Sequence, residues 1–181
     1  SSLTGTGPET WSHDGTRFGV FDLVGSVWEW VDQLKLKEGQ VFAPNDNNPY
    51  LAEASWPSHE CYFDSSYTTS GSVILNSEIT NRTGDIGDNG NGNGSNSSTW
   101  STTSSDASYI KNTLMRQLGI EPANSSSFNG RLYSRNFGER LPLRGGSWSN
   151  GSSAGLGALY FSSARTAVGS KFGFRPALFE S

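Results

Sequence analysis

Few side chains in this chain combine the residue types and the spacing that catalysis or metal binding requires. His59, Glu60 and Cys61 place three kinds of metal ligand side by side, but adjacent residues of a strand point to opposite faces of a sheet. The only other histidine is His13, so the sequence disfavours a zinc site. We interpret His59 as a surface residue beside a buried thiol, and we expect no bound metal or cofactor.

Acid–base and nucleophilic catalysis find equally little support. Glu29 and Asp32 could resemble a pair of catalytic carboxylates, but their three-residue spacing on a strand directs them to opposite faces. Serine residues are plentiful, yet neither histidine has a local sequence context that would make it their general base. We therefore expect that the protein is not an enzyme.

Residues 89–94 superficially resemble the start of a calcium-binding loop. Asn89 stands in place of the first aspartate, and Trp100 stands in place of the bidentate glutamate. Asn81 and Asn124 each begin an N-glycosylation sequon, but such matches arise by chance in a chain rich in Asn and Ser. The sequence thus disfavours calcium at this loop, and the sequons decide nothing.

The composition is typical of one outward-facing domain. A length of 181 residues fits a single domain with room for an elaborated loop. Only 17% of the residues are charged, whereas 12% are aromatic and 22 are glycine, which disfavours a coiled coil or a disordered chain. The net charge of -4 gives no attraction for phosphate, so we expect no nucleic-acid partner.

Compartment and targeting are less constrained by the sequence. The lone Cys61 excludes an internal disulfide, and no apolar run approaches the roughly 18 residues of a membrane span. The chain begins at Ser1 and its only methionine is Met115. We expect it to be a domain cut from a longer protein whose preceding region carries the targeting information.

Turn residues and apolar periodicity predict the following elements. Residues 1–17 are expected to form an extended arm, and Trp28 and Trp30 to share one face of a strand. Residues 34–42 read as a hairpin with Gly39 at its turn, and residues 73–75 as a strand. Residues 43–72 look irregular because prolines interrupt them.

Two further predictions concern the middle of the chain. Residues 81–105 are nearly pure Gly, Asn, Ser, Thr and Asp, which predicts a flexible loop because little apolar surface offsets the entropy of ordering. A helix is predicted to follow, capped by Ser105 or Asp106 and ended by Gly119. Ile110, Leu114 and Leu118 recur at four-residue spacing and would form its apolar stripe.

In the terminal region, residues 144–178, a segment of mostly small and polar residues lies between two motifs that are rich in Gly, aromatic residues and Arg. Alternation assigns Leu159 and Phe161 to the core, and Ala158, Tyr160 and Ser162 to a shallow surface. The same alternation predicts a buried face of Phe172, Phe174 and Leu178. Arg144 and Arg175 are expected to bond the scaffold, Arg175 through Glu29, Asp22 or backbone carbonyls, because buried arginine is normally paired.

Three motifs together resemble the formylglycine-generating-enzyme-like branch of the C-type lectin fold. They are Gly25-Ser26-Val27-Trp28-Glu29-Trp30, Arg144-Gly145-Gly146-Ser147-Trp148 and Gly173-Phe174-Arg175. Within that branch, the spacing of the last two motifs is similar to that of the variable proteins of diversity-generating retroelements. The resemblance covers roughly residues 11–34 and 138–179; Ser26 departs from it, because the family usually carries Asn there.

The resemblance implies an α+β C-type lectin fold spanning residues 1–181, with short twisted β-strands, one or two helices and long irregular loops. Family members replace Asn-coded template positions in their terminal segment, and many bind receptors at phage tail tips or on microbial surfaces. Mutagenesis of an Asn codon that ends in C cannot produce a Lys codon. Either the template codon at position Lys171 is a different one, or this position is not varied. Carried over by position, the implied variable residues are Ser149, Ser153, Tyr160, Ser162, Ser163, Ala167, Gly169, Ser170 and Lys171.

The expected function is therefore binding, with Tyr160 as the anchor and polar neighbours as adaptable contacts. The partner would be a protein or glycan receptor on a host or neighbouring cell, reached from a phage virion tail or a microbial cell surface, with multivalent display through a preceding region. Two alternatives stay open, a calcium-dependent carbohydrate-binding lectin and a degenerate relative of formylglycine-generating enzymes. In those enzymes the chemistry depends on a cysteine pair and copper, and Cys61 stands alone.

Overall fold

The computed structural model describes residues 5–68, 70–82, 95–121 and 128–176. In these ranges one α-helix, α1, spans Thr113–Gln117. Single turns of 3-10 helix lie at Glu9–Trp11, Asn45–Asn47, Glu53–Ser55, Trp100–Thr102 and Gly151–Ser153. The strands are β1 Trp28–Trp30, β2 Lys35–Lys37, β3 Gln40–Phe42, β4 Ser58–Ser65, β5 Ser70–Gly71, β6 Val73–Asn76, β7 Ser95–Thr99, β8 Ser104–Ser105, β9 Arg131–Arg135, β10 Glu139–Gly145, β11 Gly155–Ser163 and β12 Phe172–Phe174.

The strands form one curled sheet, which with α1 is compatible with the α+β class. Its order is β5-β7-β9-β11-β10-β2-β3-β4-β6-β8, and β1 pairs with both β10 and β12. β10 joins the two halves because its first residues pair with β2 and its last residues pair with β1 and β11. The long strand β11 lies parallel to β9 and antiparallel to β10. None of the helical segments in the described ranges could span a membrane.

The predicted hairpin and the predicted strand at residues 73–75 are confirmed. β2 and β3 pair antiparallel through a two-residue turn, in which Glu38 and Gly39 both have positive φ angles of 52° and 82°. That geometry is the twisted turn that suits a tight hairpin, and glycine adopts it without steric strain. Leu36 and Val41 face each other across the ladder and are fully buried, so the hairpin is also held by the core.

Among the described residues, two apolar clusters lie on the sheet. The larger cluster includes Leu132, Leu159 and Phe161, and the side chains of α1 pack on it through Leu114 and Met115. The smaller cluster is formed by three buried residues, Trp28, Leu143 and Ala158, with half-buried Trp30, Tyr133, Tyr160 and Phe172 around them. The predicted core positions Leu159 and Phe161 are thus confirmed. Ala158, predicted for the shallow surface, is instead fully buried beneath the aromatic rings of the smaller cluster.

The predicted flexible loop at residues 81–105 is wrong for its second half. Residues 95–99 form β7, which pairs with β9 over all five residues, and Trp100 directly after it is 2% exposed. Residues 83–94 lie outside the described residues. Backbone pairing and one large buried indole offset the ordering entropy that the small polar side chains do not offset themselves.

The predicted helix begins later than expected. It starts after Asn112, whose side chain accepts a hydrogen bond from the Leu114 backbone, rather than at Ser105 or Asp106. Ser104 and Ser105 pair with β6 instead, and Ile110 is 78% exposed. Gly119 has a φ of 63° and ends the helix as predicted.

The chain ends of the described region also differ from expectation. Phe174, predicted to be buried, is 76% exposed, and Leu178 lies outside the described residues. Phe172 is half-buried and stacks edge-on against Trp30, with ring centroids 5.8 Å apart. In the predicted arm, Ser12 forms a bridge to Phe21 and is buried, so that part of the arm rests on the domain.

A buried carboxylate organises the side of the sheet away from β11. Asp64 on β4 is 1% exposed and accepts hydrogen bonds from Thr80, Asn76 and Asn136. Burial alone would raise the pKa of the Asp64 carboxyl, but hydrogen bonds from the Thr80 side chain and backbone hold the pKa below its ordinary value. Asp64 therefore ties β4, β6 and the residues after β9 together as a charged acceptor.

Candidate ligand-binding face

Strands β7, β9 and β11 lie side by side and expose alternate side chains on one surface, here called the outer face. Tyr133 is in register with Ser97 on β7 and with Tyr160 on β11. Two residues further along β9, Arg135 is in register with Ser95, and Ser162 occupies the equivalent position on β11. The outer face is a grid of two rows, Ser97, Tyr133 and Tyr160 in one and Ser95, Arg135 and Ser162 in the other.

The opposite side of the same strands, here called the inner face, is closed to solvent. Leu132, Leu159 and Phe161 belong to the larger apolar cluster and are fully buried. On β7 the inner positions are polar, and the Ser98 hydroxyl accepts a 2.7 Å hydrogen bond from the Val73 backbone. Residues on the two faces alternate along each strand. One residue therefore packs in the core, and the next one contributes to the exposed surface.

Aromatic rings support the middle of the outer face. Tyr160 lies 5.4 Å from both Trp28 and Tyr133, measured between ring centroids. Trp28 also meets Tyr133 edge-on at 6.3 Å, and Trp28 itself is 5% exposed. Such tilted arrangements stabilise aromatic pairs by about 0.5–1.5 kcal/mol beyond simple burial. Tyr160 is therefore a rigid, half-buried platform rather than a free surface side chain.

A shallow open depression of ≈ 440 Å³ lies over this grid. Asn96 and Gly71 form its rim where β5 meets β7, and the Asn96 side-chain oxygen accepts a hydrogen bond from the Gly71 backbone. The Ser97 hydroxyl accepts a 3.0 Å hydrogen bond from Arg131. The remaining lining residues are the other members of the grid: Ser95, Tyr133, Arg135, Tyr160 and Ser162.

The structure brings together a second pair of the predicted variable residues. Lys171 donates a 2.8 Å hydrogen bond to the Ser149 hydroxyl, and its ammonium lies 5.9 Å from the ring centroid of Trp148. Trp148 is 56% exposed, although its backbone is held by the Ser26 carbonyl. Ser26, the residue that departs from the family pattern, therefore still takes part in joining two of the motifs.

The other predicted variable residues are distributed unevenly. Ser163 is 7% exposed and faces the core side of β11, so it has little surface to offer a ligand. Ser153 and Ala167 are half-buried, whereas Gly169 and Ser170 are exposed in the segment between β11 and β12. Of the nine positions, Tyr160 and Ser162 line the depression.

Two glycines of the terminal region differ in what a side chain would meet. A Cβ atom at Gly169 would have ordinary contacts with Phe172, at 3.8 Å or more. A Cβ atom at Gly157 would approach the Asn129 carbonyl and the Trp100 ring nitrogen to 2.8 Å. The predicted variable glycine thus accepts other residues sterically, whereas Gly157 is required for close backbone packing.

The motif arginines bond the scaffold, as predicted. Arg144 donates hydrogen bonds to the carbonyls of Leu118 and Gly119 at the end of α1, and burial lowers the pKa of its guanidinium. Arg175 forms a two-point ion pair with Glu29, at 2.8 and 3.2 Å, and donates to the Phe21 carbonyl. The first and last motifs are therefore joined across the β1–β12 pair.

An ion-pair network anchors the segment that follows β11. Arg165 contacts the carboxylates of Glu53 and Glu139, and Lys35 reaches the same two carboxylates at 2.7 and 3.4 Å. The hydrogen bond from Lys35, with that from Arg165, lowers the pKa of the Glu53 carboxyl against the opposing effect of burial. Arg165 therefore anchors the segment that contains the predicted variable residues Ala167, Gly169 and Ser170.

The residues considered for metal binding are engaged elsewhere. The His59 ring bonds the Ala43 carbonyl at 2.9 Å, and His59 is half-buried. Cys61 is 1% exposed, and burial raises the pKa of its thiol to about 12. Within the described ranges no three His, Cys, Asp or Glu side chains cluster as metal ligands. Residues 89–94 lie outside the described residues, while Trp100 donates a hydrogen bond to the Gly157 carbonyl.

The residues considered for catalysis are likewise held in other contacts. Glu29 is paired with Arg175, and Asp32 accepts a hydrogen bond from the Gln33 backbone. Residues 151–155 fit the Gly-x-Ser-x-Gly pattern around Ser153, which in hydrolases marks a strand-to-helix turn. Here a 3-10 turn leads into a strand, the reverse order, so Ser153 does not stand on a nucleophile elbow.

Sequence reasoning did not single out the β7 and β9 residues of the outer face. For Tyr133 and Arg135 a signal existed, because Arg131 to Arg135 alternates polar or aromatic residues with buried Leu132 and Ser134. For Ser95 and Ser97 no signal existed, since they belong to a low-complexity run whose pairing depends on a distant strand.

A comparison with models of known protein families gives no match, and neither does a comparison with curated protein sequences.

Proposed function

We propose that this chain is a receptor-binding domain of the kind made by diversity-generating retroelements, built on a C-type lectin fold. Its terminal segment would present varied side chains to a receptor on a host or neighbouring cell. The domain would be displayed at a phage tail or a microbial surface. No step of this function requires catalysis or a cofactor.

One observation carries the proposal: tolerant and constrained residues alternate within the terminal segment. Tyr160 and Ser162 line a surface depression, while Leu159 and Phe161 between and beside them are fully buried. Gly169 accepts a side chain, whereas Gly157 does not. A protein whose segment varies while its fold persists needs this separation of surface from core.

The motif residues support the same function. Arg144, Arg175 and Glu29 bond the backbone or one another, so the residues that carry the family resemblance serve the frame. A shallow, open depression supplies little binding energy, so we expect micromolar affinity or weaker per site, on the order of 10⁻⁶ M. Useful attachment would then rely on several copies binding together.

The separation can be tested by a five-site variant that carries Ser149→Ala, Ser162→Ala, Gly169→Ala, Ser170→Ala and Lys171→Ala. We expect its melting temperature to stay within about 4 °C of the parent, because surface changes rarely exceed about 1 kcal/mol. The matched control is the single variant Leu159→Ala on the same strand, which should lower the melting temperature by more. Loss of cooperative unfolding in the five-site variant would contradict the proposal.

The retroelement origin has its own test. Sequencing the flanks of the gene should reveal a reverse-transcriptase gene and a near-copy of the codons for residues 149–171. The two copies should differ at adenine positions of the template. Flanks without either feature would remove the retroelement from the proposal while leaving receptor binding to be decided by the five-site variant.

A further inference from the structure

We propose that the outer face binds a saccharide without a metal ion, and that β7 and β9 supply a constant half of the site. This inference rests on the proposed receptor-binding function and specifies the class of ligand. The variable half would be the β11 column of the grid, Tyr160 and Ser162. The constant half would be the columns of β9 and β7, Tyr133, Arg135, Ser95 and Ser97.

The register of the strands places both halves around one depression. Tyr133 neighbours Tyr160 on one side and Ser97 on the other. Adjacent strands are about 4.8 Å apart, so the row from Ser97 to Tyr160 spans roughly 10 Å. That span matches one or two sugar rings, and the ≈ 440 Å³ volume lies in the usual range for small-ligand sites.

The chemistry of the lining favours a saccharide over a protein partner. The described side chains that line it are Tyr, Ser, Asn and Arg, and none of these is aliphatic. Protein hot spots lie in well-packed pockets that exclude water, whereas this depression is shallow and open to solvent. Serine hydroxyls donate and accept hydrogen bonds as sugar hydroxyls do, and tyrosine rings offer faces for the C–H side of a sugar ring.

The same lining argues against calcium-dependent sugar binding. Calcium requires several oxygen ligands, with carboxylates prominent among them. Among the described residues, those that line the depression include neither Asp nor Glu. Recognition here would therefore depend on direct hydrogen bonds and ring contacts alone.

The constant half is held in place before a ligand arrives. Tyr133 and Tyr160 both pack on the buried Trp28, and Arg131 fixes the Ser97 hydroxyl. Prior ordering lowers the entropy lost on binding, which matters for a weak site.

The test is binding to an array of immobilised oligosaccharides in the presence of excess EDTA. Two variants, Ser97→Leu in the constant half and Tyr160→Ala in the variable half, should each weaken binding by roughly tenfold or more. Ser58→Leu is the matched control because Ser58 is an exposed serine on β4 that does not line the depression, and it should leave binding unchanged. Ser95→Leu provides a second way to fill the constant half, and melting curves for all variants verify folding.

Four results would overturn the inference: no binding to any oligosaccharide, binding that EDTA abolishes, binding unaffected by both Ser97→Leu and Ser95→Leu, or equal loss in Ser58→Leu. The proposed receptor function is judged separately by the five-site melting experiment. If the five-site variant keeps its melting temperature but the domain binds no oligosaccharide on the array, the receptor would be a protein.

Discussion

The two faces of β7, β9 and β11 differ in how readily they should tolerate a changed side chain. On the inner face Leu132, Leu159 and Phe161 are fully buried, whereas on the outer face Tyr160 and Ser162 are only half-buried. The same backbone carries both sets, one residue apart. The difference teaches that strand alternation alone lets a surface change without moving the core.

The largest expected effect comes from truncating, one at a time, two adjacent side chains of β11 that lie on opposite faces. Phe161→Ala should lower the free energy of unfolding by about 3–5 kcal/mol, because it leaves a cavity beside Phe63, whose ring centroid lies 5.2 Å away. Tyr160→Ala should cost about 1–2 kcal/mol, since its ring is half-buried and its site opens to solvent. Denaturant unfolding measures both values, and equal losses would break the comparison.

The comparison extends to buried polar groups through Asp64. Asp64→Asn should lower the free energy of unfolding by about 2–3 kcal/mol, because it leaves several donors facing a neutral amide. Asp32→Asn is the control, since Asp32 is exposed and should change stability by less than about 0.5 kcal/mol. Unfolding in urea at neutral pH distinguishes the two.

The same carboxylate predicts a pH dependence. The pKa of Asp64 is lowered in the folded state, so its stabilisation is present above the ordinary pKa of 3.8 and is lost as pH falls through the lower folded value. The parent should therefore lose stability below about pH 4 more steeply than Asp64→Asn does. Parallel acid titrations that give superimposable slopes would exclude Asp64 as the source.

Glycine substitutions sharpen the comparison at intermediate size. Gly157→Ala should cost about 1–3 kcal/mol, because the new methyl group collides with the Asn129 backbone and with Trp100. Gly169→Ala should stay within about 0.5 kcal/mol of the parent. Tryptophan fluorescence during unfolding measures both, and a neutral Gly157→Ala would show that the strand can move away.

The smallest effects belong to exposed charges. Arg165→Ala should lower stability by no more than about 1 kcal/mol, and less at high salt, because its side chain is 50% exposed although it contacts two carboxylates. Lys171→Ala should be nearly neutral, since the exposed Lys171 contacts one serine hydroxyl and the exposed ring of Trp148. Thermal melts at low and high ionic strength compare the two, and a larger loss from Lys171→Ala would reverse the assignment of frame and surface.

Local patterns predicted those elements whose partners lie nearby or whose residues have strong preferences. The Glu38-Gly39 hairpin and the αL stop at Gly119 follow from turn chemistry, and the burial of Phe161 follows from alternation. The pairing of Arg175 with Glu29 was also predictable, because a guanidinium in a segment expected to be apolar requires an acceptor.

The rest depends on distant pairing that a single sequence does not encode locally. β7 has almost no apolar side chains, and it becomes a strand because its backbone exchanges hydrogen bonds with β9. The four-residue spacing of Ile110, Leu114 and Leu118 overstated the helix, because Ser104 and Ser105 pair with β6 instead. Four of the six grid residues were missed, and for Ser95 and Ser97 the reason is the same, since they reach Tyr133 and Arg135 only through that pairing.

The clamps at either end of the segment between β11 and β12 bear on its length. Arg165 fixes one end to Glu53 and Glu139, and the Lys171 carbonyl accepts a 2.7 Å hydrogen bond from the Trp28 backbone at the other. Only residues 166–170 lie between these anchors. Loop-closure entropy rises slowly with length, by about 0.6 kcal/mol for each doubling. This segment should therefore accept inserted residues as readily as exchanged ones, which makes it a place to graft foreign peptides.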